Sequence, residues 1–158
     1  MRHWYLRVFF ALLAMAVTVP RLSDLGQYIT VIKMHTDVVK DFNVETIQGL
    51  QLLTKKHNFM IFEDRKLIDI GQQQYHEGAL GISEWVGIVN LSMLGGDGIV
   101  DALTQTITGP DFQFRNERAL LIVAKMTSRG SLATASYIER CIDLARKSPE
   151  SVTSFVAT

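Results

Sequence analysis

The chain has 158 residues, of which 47% are hydrophobic, and its formal net charge at pH 7 is zero. This composition suits one globular domain with a hydrophobic core, and the balanced charge gives no reason to expect a nucleic-acid partner. The single cysteine, Cys141, excludes an intramolecular disulfide and is expected to pack on a buried helix face. The four histidines show no HxxxH or HExxH spacing, which argues against a zinc site.

The N-terminal apolar run, residues 8–19, has two interpretations. Arg2 and Arg7 precede it and residues 14–16 resemble a cleavage site, so the run could be a secretory signal. A buried parallel strand is also a continuous apolar run, and this one is too short to span a bilayer comfortably. We favour the strand, with a cytoplasmic location and no membrane contact, because the rest of the chain has the character of a cytosolic protein.

Beyond this run, segments with strand character alternate with segments of helical spacing. Strands are predicted at 28–34, 59–62, 85–91 and 119–125, and helices at 44–57, 72–80, 99–107 and 131–147. The repeated strand-then-helix order indicates a parallel sheet with right-handed crossovers. A closed (β/α)8 barrel needs about 250 residues, so the chain would supply about five of its eight units. An open doubly wound sheet is the alternative, although no GxGxxG motif follows a strand.

Charged residues cluster where two of the predicted strands end. Lys33 lies at the carboxyl end of the first of them, and Asp64, Lys66 and Asp69 follow the apolar strand at 59–62. A run of this kind is often a solvated turn, but the preceding strand is too apolar for an exposed edge. In parallel α/β folds the carboxyl ends of strands carry the site. Two lysines and two aspartates there offset each other's charge, titrate as a unit and suit a decarboxylation without a cofactor.

Five segments of the chain, in this order, resemble the eukaryotic and especially the fungal orotidine 5'-phosphate decarboxylases. They are residues 32–42, 55–71 (KKHNFMIFEDRKLIDIG), 74–85, 96–107 and 126–137. The resemblance implies a partial (β/α)8 TIM barrel over 22–148, with 1–21 as an N-terminal strand or unrelated leader and 149–158 as a tail. It further implies a lyase that decarboxylates orotidine 5'-phosphate (OMP) to UMP in pyrimidine biosynthesis, as a homodimer and without a metal or organic cofactor.

The resemblance assigns roles to five residues. Lys66 resembles the lysine that protonates C6 of the pyrimidine as carbon dioxide leaves. Asp64 resembles the aspartate beside the substrate carboxylate, and Lys33 the lysine that links this network to the ribose. Asp69 resembles the aspartate donated across the dimer interface, and Ser131 the serine that reads the pyrimidine edge.

The chain also departs from the family's pattern. Thr18 stands where a ribose-binding aspartate is expected, and the segment at 72–74 is about three residues short. His35 lies in the family's K-x-H element and is expected to be structural. The sequence stops at Thr158, before the glutamine and arginine that grip the substrate phosphate, so impaired activity is expected. An inactive truncated paralogue, or a fungal paralogue that decarboxylates another metabolite in a secondary pathway, is the alternative.

Overall fold

The computed structural model describes residues 11–12, 19–68, 75, 80–115 and 117–157. The chain divides into two units, the first ending at Asp64 and the second beginning at Arg65. The strand Met60–Leu67 contributes its first five residues to the first unit and its last three to the second. The two units are described separately below.

The first unit alternates strands and helices. In chain order it contains β1 (Ala11–Leu12), α1 (Val19–Leu25), a 3-10 turn (Gly26–Tyr28), β2 (Val31–Met34), a second 3-10 turn (Thr36–Val38), α2 (Val44–His57) and the start of β3 (Met60–Leu67). β1 pairs with β2 and β2 with β3, both in parallel, and Lys33 lies opposite Phe62. The buried apolar side chains include Ile32, Leu53 and Ile61, so the core of this unit comes from both strands and helix.

Local chemistry explains the bounds of α2. The side chain of Asn43 accepts a hydrogen bond from the backbone N–H of Thr46 at 2.9 Å and so caps the first turn. Lys55 and Lys56 lie in the last turn, where positive charge complements the helix dipole. The helix ends at His57 and is followed by Asn58, whose φ of 54° is the left-handed conformation that asparagine tolerates better than most residues.

The second unit continues the same alternation. After the end of β3 it contains α3 (Ile82–Trp85), β4 (Ile88–Leu91), a 3-10 turn (Met93–Gly95), α4 (Gly98–Thr108), β5 (Ala119–Lys125), α5 (Ala135–Lys147) and β6 (Val152–Ala157). β5 pairs in parallel with β4 on one side and with β6 on the other. Almost all of β4 and much of β5 are buried, as expected for central strands of a parallel sheet.

Several predicted elements match and others differ for local reasons. The helix at 44–57 and the strand at 119–125 have the predicted bounds. The strand predicted at 59–62 continues to Leu67, because its charged residues find partners on neighbouring elements. The helix predicted from 131 begins at Ala135, since residues 131–134 form turn hydrogen bonds instead. Residues 152–157, which the sequence analysis treats as a tail, form β6.

Two predicted segments fall largely outside the described residues. Of the apolar run 8–19, Ala11 and Leu12 form a strand parallel to β2, and Val19 begins α1. Of the helix predicted at 72–80, the structure describes residues 75 and 80. Among the described residues, no helix is both long enough and apolar enough to cross a lipid bilayer.

Candidate functional site

An ion pair joins two of the predicted site residues in the first unit. The ammonium of Lys33 on β2 lies 2.8 Å from Oδ2 of Asp64 on β3. Since Lys33 is opposite Phe62, Asp64 is the next residue of β3 whose side chain points to the same face. The Lys33 ammonium also lies 5.8 Å from the centre of the Phe62 ring. The side chain of Asp64 is 14% exposed and that of Lys33 is 29% exposed, so the pair is largely but not fully shielded from water.

The neighbouring carboxylate, that of Glu63, is fully buried and has a structural role. It accepts hydrogen bonds from the backbone N–H of Thr36, at 3.0 and 3.2 Å to its two oxygens, and from the Thr36 hydroxyl at 3.0 Å. A buried carboxylate is costly unless it is hydrogen-bonded in this way. The contact joins β3 to the turn that follows β2, and it therefore fixes the backbone just beyond Lys33.

Lys66 has an unusual backbone conformation near the end of β3. Its φ is 54°, in the left-handed region that costs a residue with a side chain roughly 1–2 kcal/mol. Its N–H donates a 2.7 Å hydrogen bond to Oδ1 of Asn90, a fully buried residue of β4. On a regular extended strand, Asp64 and Lys66 would point to the same face because they are two residues apart. The left-handed φ shows that the strand is not regular at Lys66.

Ser131 lies in a turn before α5. Gly130 precedes it with a φ of 79°, a conformation that glycine adopts without strain. The Ser131 hydroxyl oxygen accepts a hydrogen bond from the N–H of Ala133 at 3.2 Å. A hydroxyl that accepts one hydrogen bond can still donate its own proton. The geometry therefore leaves Ser131 suited to contact a polar ligand.

Three other residues named from the sequence are Asp69, Thr18 and His35. Asp69 and Thr18 lie outside the described residues. His35 directly follows β2, and its Nδ1 is 4.0 Å from Oδ2 of Asp37, which is longer than a hydrogen bond. Among the described residues, no three His, Cys, Asp or Glu side chains converge as metal ligands would.

Three polar residues that the sequence analysis did not single out organise the strand ends. Two are Glu63 and Asn90; the third is Tyr137 of α5. Its hydroxyl accepts from the N–H of Met93 at 2.9 Å and donates to the carbonyl of Val123 at 3.1 Å. A polar residue inside an apolar strand, such as Asn90, was a usable signal in the sequence. The role of Tyr137 depends on long-range contacts and left no local signal.

Comparison with known proteins identifies relatives over most of the chain. The model of the Orotidine 5'-phosphate decarboxylase / HUMPS family matches residues 13–158. The orotidine 5'-phosphate decarboxylase of Penicillium chrysogenum is 58% identical over 139 residues, which cover 86% of this chain and 50% of the relative. That of Aspergillus fumigatus is 57% identical over 141 residues, covering 87% and 51%. The chain thus spans about half the length of the curated relatives it matches.

Solved structures show the same fold. Orotidine 5'-monophosphate decarboxylase from Methanocaldococcus jannaschii superposes with a TM-score of 0.63 at 17% identity, covering 93% of this chain and 71% of that one. The enzyme from Pyrococcus horikoshii superposes with a TM-score of 0.59 at 17% identity, covering 92% and 66%. The partial (β/α)8 barrel predicted from the sequence is confirmed. By the family match, the chain belongs to the Orotidine 5'-phosphate decarboxylase / HUMPS family.

Proposed function

We propose that the chain carries the charged residues of an orotidine 5'-phosphate decarboxylase and converts OMP to UMP and carbon dioxide. The observation that carries the proposal is the Lys33–Asp64 ion pair at the strand ends, followed two residues along the chain by Lys66. Support comes from fungal relatives 58% identical that bear this name. The Methanocaldococcus jannaschii enzyme has also been solved in complex with the inhibitor BMP, with a TM-score of 0.56 to this chain.

The proposed reaction balances with the side chains of the protein alone. The bond between C6 and the carboxylate of OMP breaks, and its electron pair stays on C6 as carbon dioxide leaves. The Lys66 ammonium then gives a proton to C6, which completes UMP, and the neutral amine regains a proton from water. Asp64 lies beside the substrate carboxylate, and Lys33 holds the Asp64 carboxylate in place. Fixed charges of this kind favour the transition state because they need no reorganisation during the reaction.

Binding and assembly complete the proposal. The Ser131 hydroxyl donates to the pyrimidine edge, and no metal or organic cofactor takes part. Two copies of the chain form a homodimer in the cytoplasm, and Asp69 of each copy completes the site of the other. These features rest on the family resemblance, and the single cysteine accords with a reducing compartment.

The direct test is to incubate the purified chain with OMP and quantify UMP by chromatography. We expect UMP to form, and Lys66→Ala to lower its rate of formation about 10²–10⁴-fold because the proton donor is lost. Lys56→Ala is the matched control, since this lysine lies in the last turn of α2 and bonds the Ser23 hydroxyl. No UMP from the unmodified chain, or an equal rate from Lys66→Ala, would overturn the proposal.

Mixing two inactive variants in the same assay tests the shared site. Lys66→Ala and Asp69→Ala should each be inactive alone. A mixed dimer has one site built entirely from native residues, so a statistical mixture should recover about a quarter of the original rate. A mixture that stays inactive, while each variant remains dimeric by light scattering, would exclude the exchange of Asp69 between subunits.

A further inference from the structure

We propose that Asn90 is a positioning residue for Lys66: its buried amide oxygen holds the left-handed backbone from which the lysine side chain projects. The inference rests on the proposed function for the role of Lys66 as a proton donor. It concerns a residue that the charge pattern of the sequence does not reveal.

The first support is the backbone strain at Lys66. A left-handed residue with a side chain persists only where the surroundings compensate for its cost. Here the compensation is the 2.7 Å hydrogen bond from the Lys66 N–H to Asn90 Oδ1, which is short for a bond between neutral groups. If Asn90 Oδ1 were removed, this hydrogen bond would be lost, and an extended φ at residue 66 would relieve the strain.

The second support is the burial of Asn90. It is 0% exposed in β4, between Val89 at 1% and Leu91 at 0%. An amide in such apolar surroundings is unfavourable unless it is hydrogen-bonded, so a purely structural position would favour an aliphatic residue. The register of β4 on β5 places Asn90 opposite Leu121, which fixes the strand that carries the amide.

The third support is that the two residues after Lys66 are held by the same segment of the chain. The carbonyl of Leu67 accepts a hydrogen bond from the N–H of Ser92 at 2.7 Å. Gly95 approaches the carbonyl of Ile68 so closely that a Cβ at position 95 would lie 2.6 Å from that oxygen. The backbone is therefore fixed on the C-terminal side of Lys66, and Asn90 fixes its N–H.

If Asn90 positions Lys66, removing its amide should lower kcat and leave KM almost unchanged. Asn90→Leu keeps the size of the side chain and removes the acceptor, so Lys66 should lose its orientation. We expect kcat to fall about 10–10²-fold, as for a misplaced catalytic group, with KM within about twofold. Asn90→Asp retains an oxygen in place of Oδ1 and should recover most of the loss. Thr104→Val is the control, because it removes a 2.7 Å hydroxyl contact to Ser151 and should lower stability with kcat unchanged.

A second measurement does not depend on turnover. In NMR of the chain labelled with 15N,13C-lysine, the Cα and Cβ chemical shifts of a lysine report its backbone conformation. The signal of residue 66 is the one that is missing from the spectrum of Lys66→Arg. We expect left-handed shifts in the unmodified chain and in Asn90→Asp, and extended shifts in Asn90→Leu or, if that variant does not fold, in Asn90→Ala. Unchanged shifts at residue 66 in the variants without the acceptor would overturn the inference.

The two measurements separate this inference from the proposed function. If the unmodified chain does not decarboxylate OMP, the proposed function fails, whereas the NMR experiment still decides whether Asn90 holds the Lys66 backbone. If turnover is present and Asn90→Leu moves the Lys66 shifts but leaves kcat unchanged, the positioning role is wrong. A fall in kcat that Thr104→Val reproduces would also overturn it.

Discussion

At the scale of single residues, two adjacent charged residues on β3 have separate structural roles. Glu63 points into the core and bonds Thr36, whereas Asp64 points to the opposite face and pairs with Lys33. Strand alternation explains this division, because successive side chains point to opposite faces. The burial of Glu63 and the pairing of Asp64 also explain why a segment with the composition of a solvated turn continues as a strand.

The left-handed backbone at Lys66 predicts that the usual order of stability, with alanine above glycine, is reversed at this position. Replacing Lys66 by glycine should give a more stable protein than replacing it by alanine, by about 1 kcal/mol, because alanine retains the Cβ that disfavours a φ of 54°. Urea unfolding of the two variants measures the difference. Both variants lack the ammonium, so the comparison isolates the backbone.

The adjacent residue provides the control for this comparison. Arg65 has an ordinary φ within β3, since it is not among the described residues with positive φ. There Arg65→Gly should be less stable than Arg65→Ala by roughly 0.5–1 kcal/mol. The same sign at positions 65 and 66 would contradict a left-handed conformation at Lys66.

At the scale of elements, segments with strong end signals have the predicted bounds. The helix α2 begins after a capping asparagine and ends in basic residues, and both signals are readable in the sequence. The start of α5 carries no side-chain capping bond at Thr134, and its predicted start is four residues early. Local hydrogen bonds of Ser131 and Thr134 hold residues 131–134 in a turn.

The cap of α2 predicts a measurable loss of stability. Asn43→Ala removes the acceptor for the N–H and the hydroxyl of Thr46, both at 2.9 Å, and should lower the free energy of unfolding by about 1 kcal/mol. Asn43→Asp keeps an acceptor and adds a negative charge at the helix N-terminus, so it should be close to the unmodified chain. Thermal or urea unfolding followed by circular dichroism compares them, and equal losses in both variants would exclude a capping role.

At the scale of the whole molecule, the burial of one tyrosine should make the free energy of unfolding fall at alkaline pH. Tyr75 is 1% exposed, and its burial raises the pKa of the phenol well above 10, although the positive charge of Arg118 opposes the shift. Burial lowers the pKa of Arg118 in turn, while Tyr75 and Glu117 act in the opposite direction. The guanidinium is anchored by hydrogen bonds to the carbonyls of Ser83 and Glu84.

The sign of the Tyr75 effect follows from the raised pKa. Below pH 10 the phenol is neutral in both the folded and the unfolded chain, so its contribution is fully present. Above pH 10 the unfolded chain ionises first, and the contribution should fall by about 1.4 kcal/mol by pH 11. Tyr75→Phe should remove this part of the pH dependence, measured by urea unfolding between pH 9 and pH 11. Tyr28→Phe, the same substitution at a residue that is 63% exposed, is the matched control.

The fold was predictable because its signals are local and repeated. Apolar β-branched strands alternate with helical spacing along the chain, and this order selects a parallel α/β fold whatever the details of packing. The pairing of Lys33 with Asp64 was predictable in the same way, since carboxyl ends of neighbouring parallel strands meet at one edge. The bounds of β2 and β4 were less predictable, because residues flanking both strands take up short helical turns.

The sequence by itself determined the family, the parallel strand–helix order and the identity of the charged residues, because periodicity and residue type are properties of the chain. The tertiary structure decided how two of those residues are held. At Lys66 a left-handed φ coincides with a hydrogen bond to Asn90, 24 positions further along the chain. The burial of Glu63 likewise depends on Thr36, 27 positions earlier. Hydrogen bonds between distant segments leave no local pattern in the sequence, so these partners could be identified only from the tertiary structure.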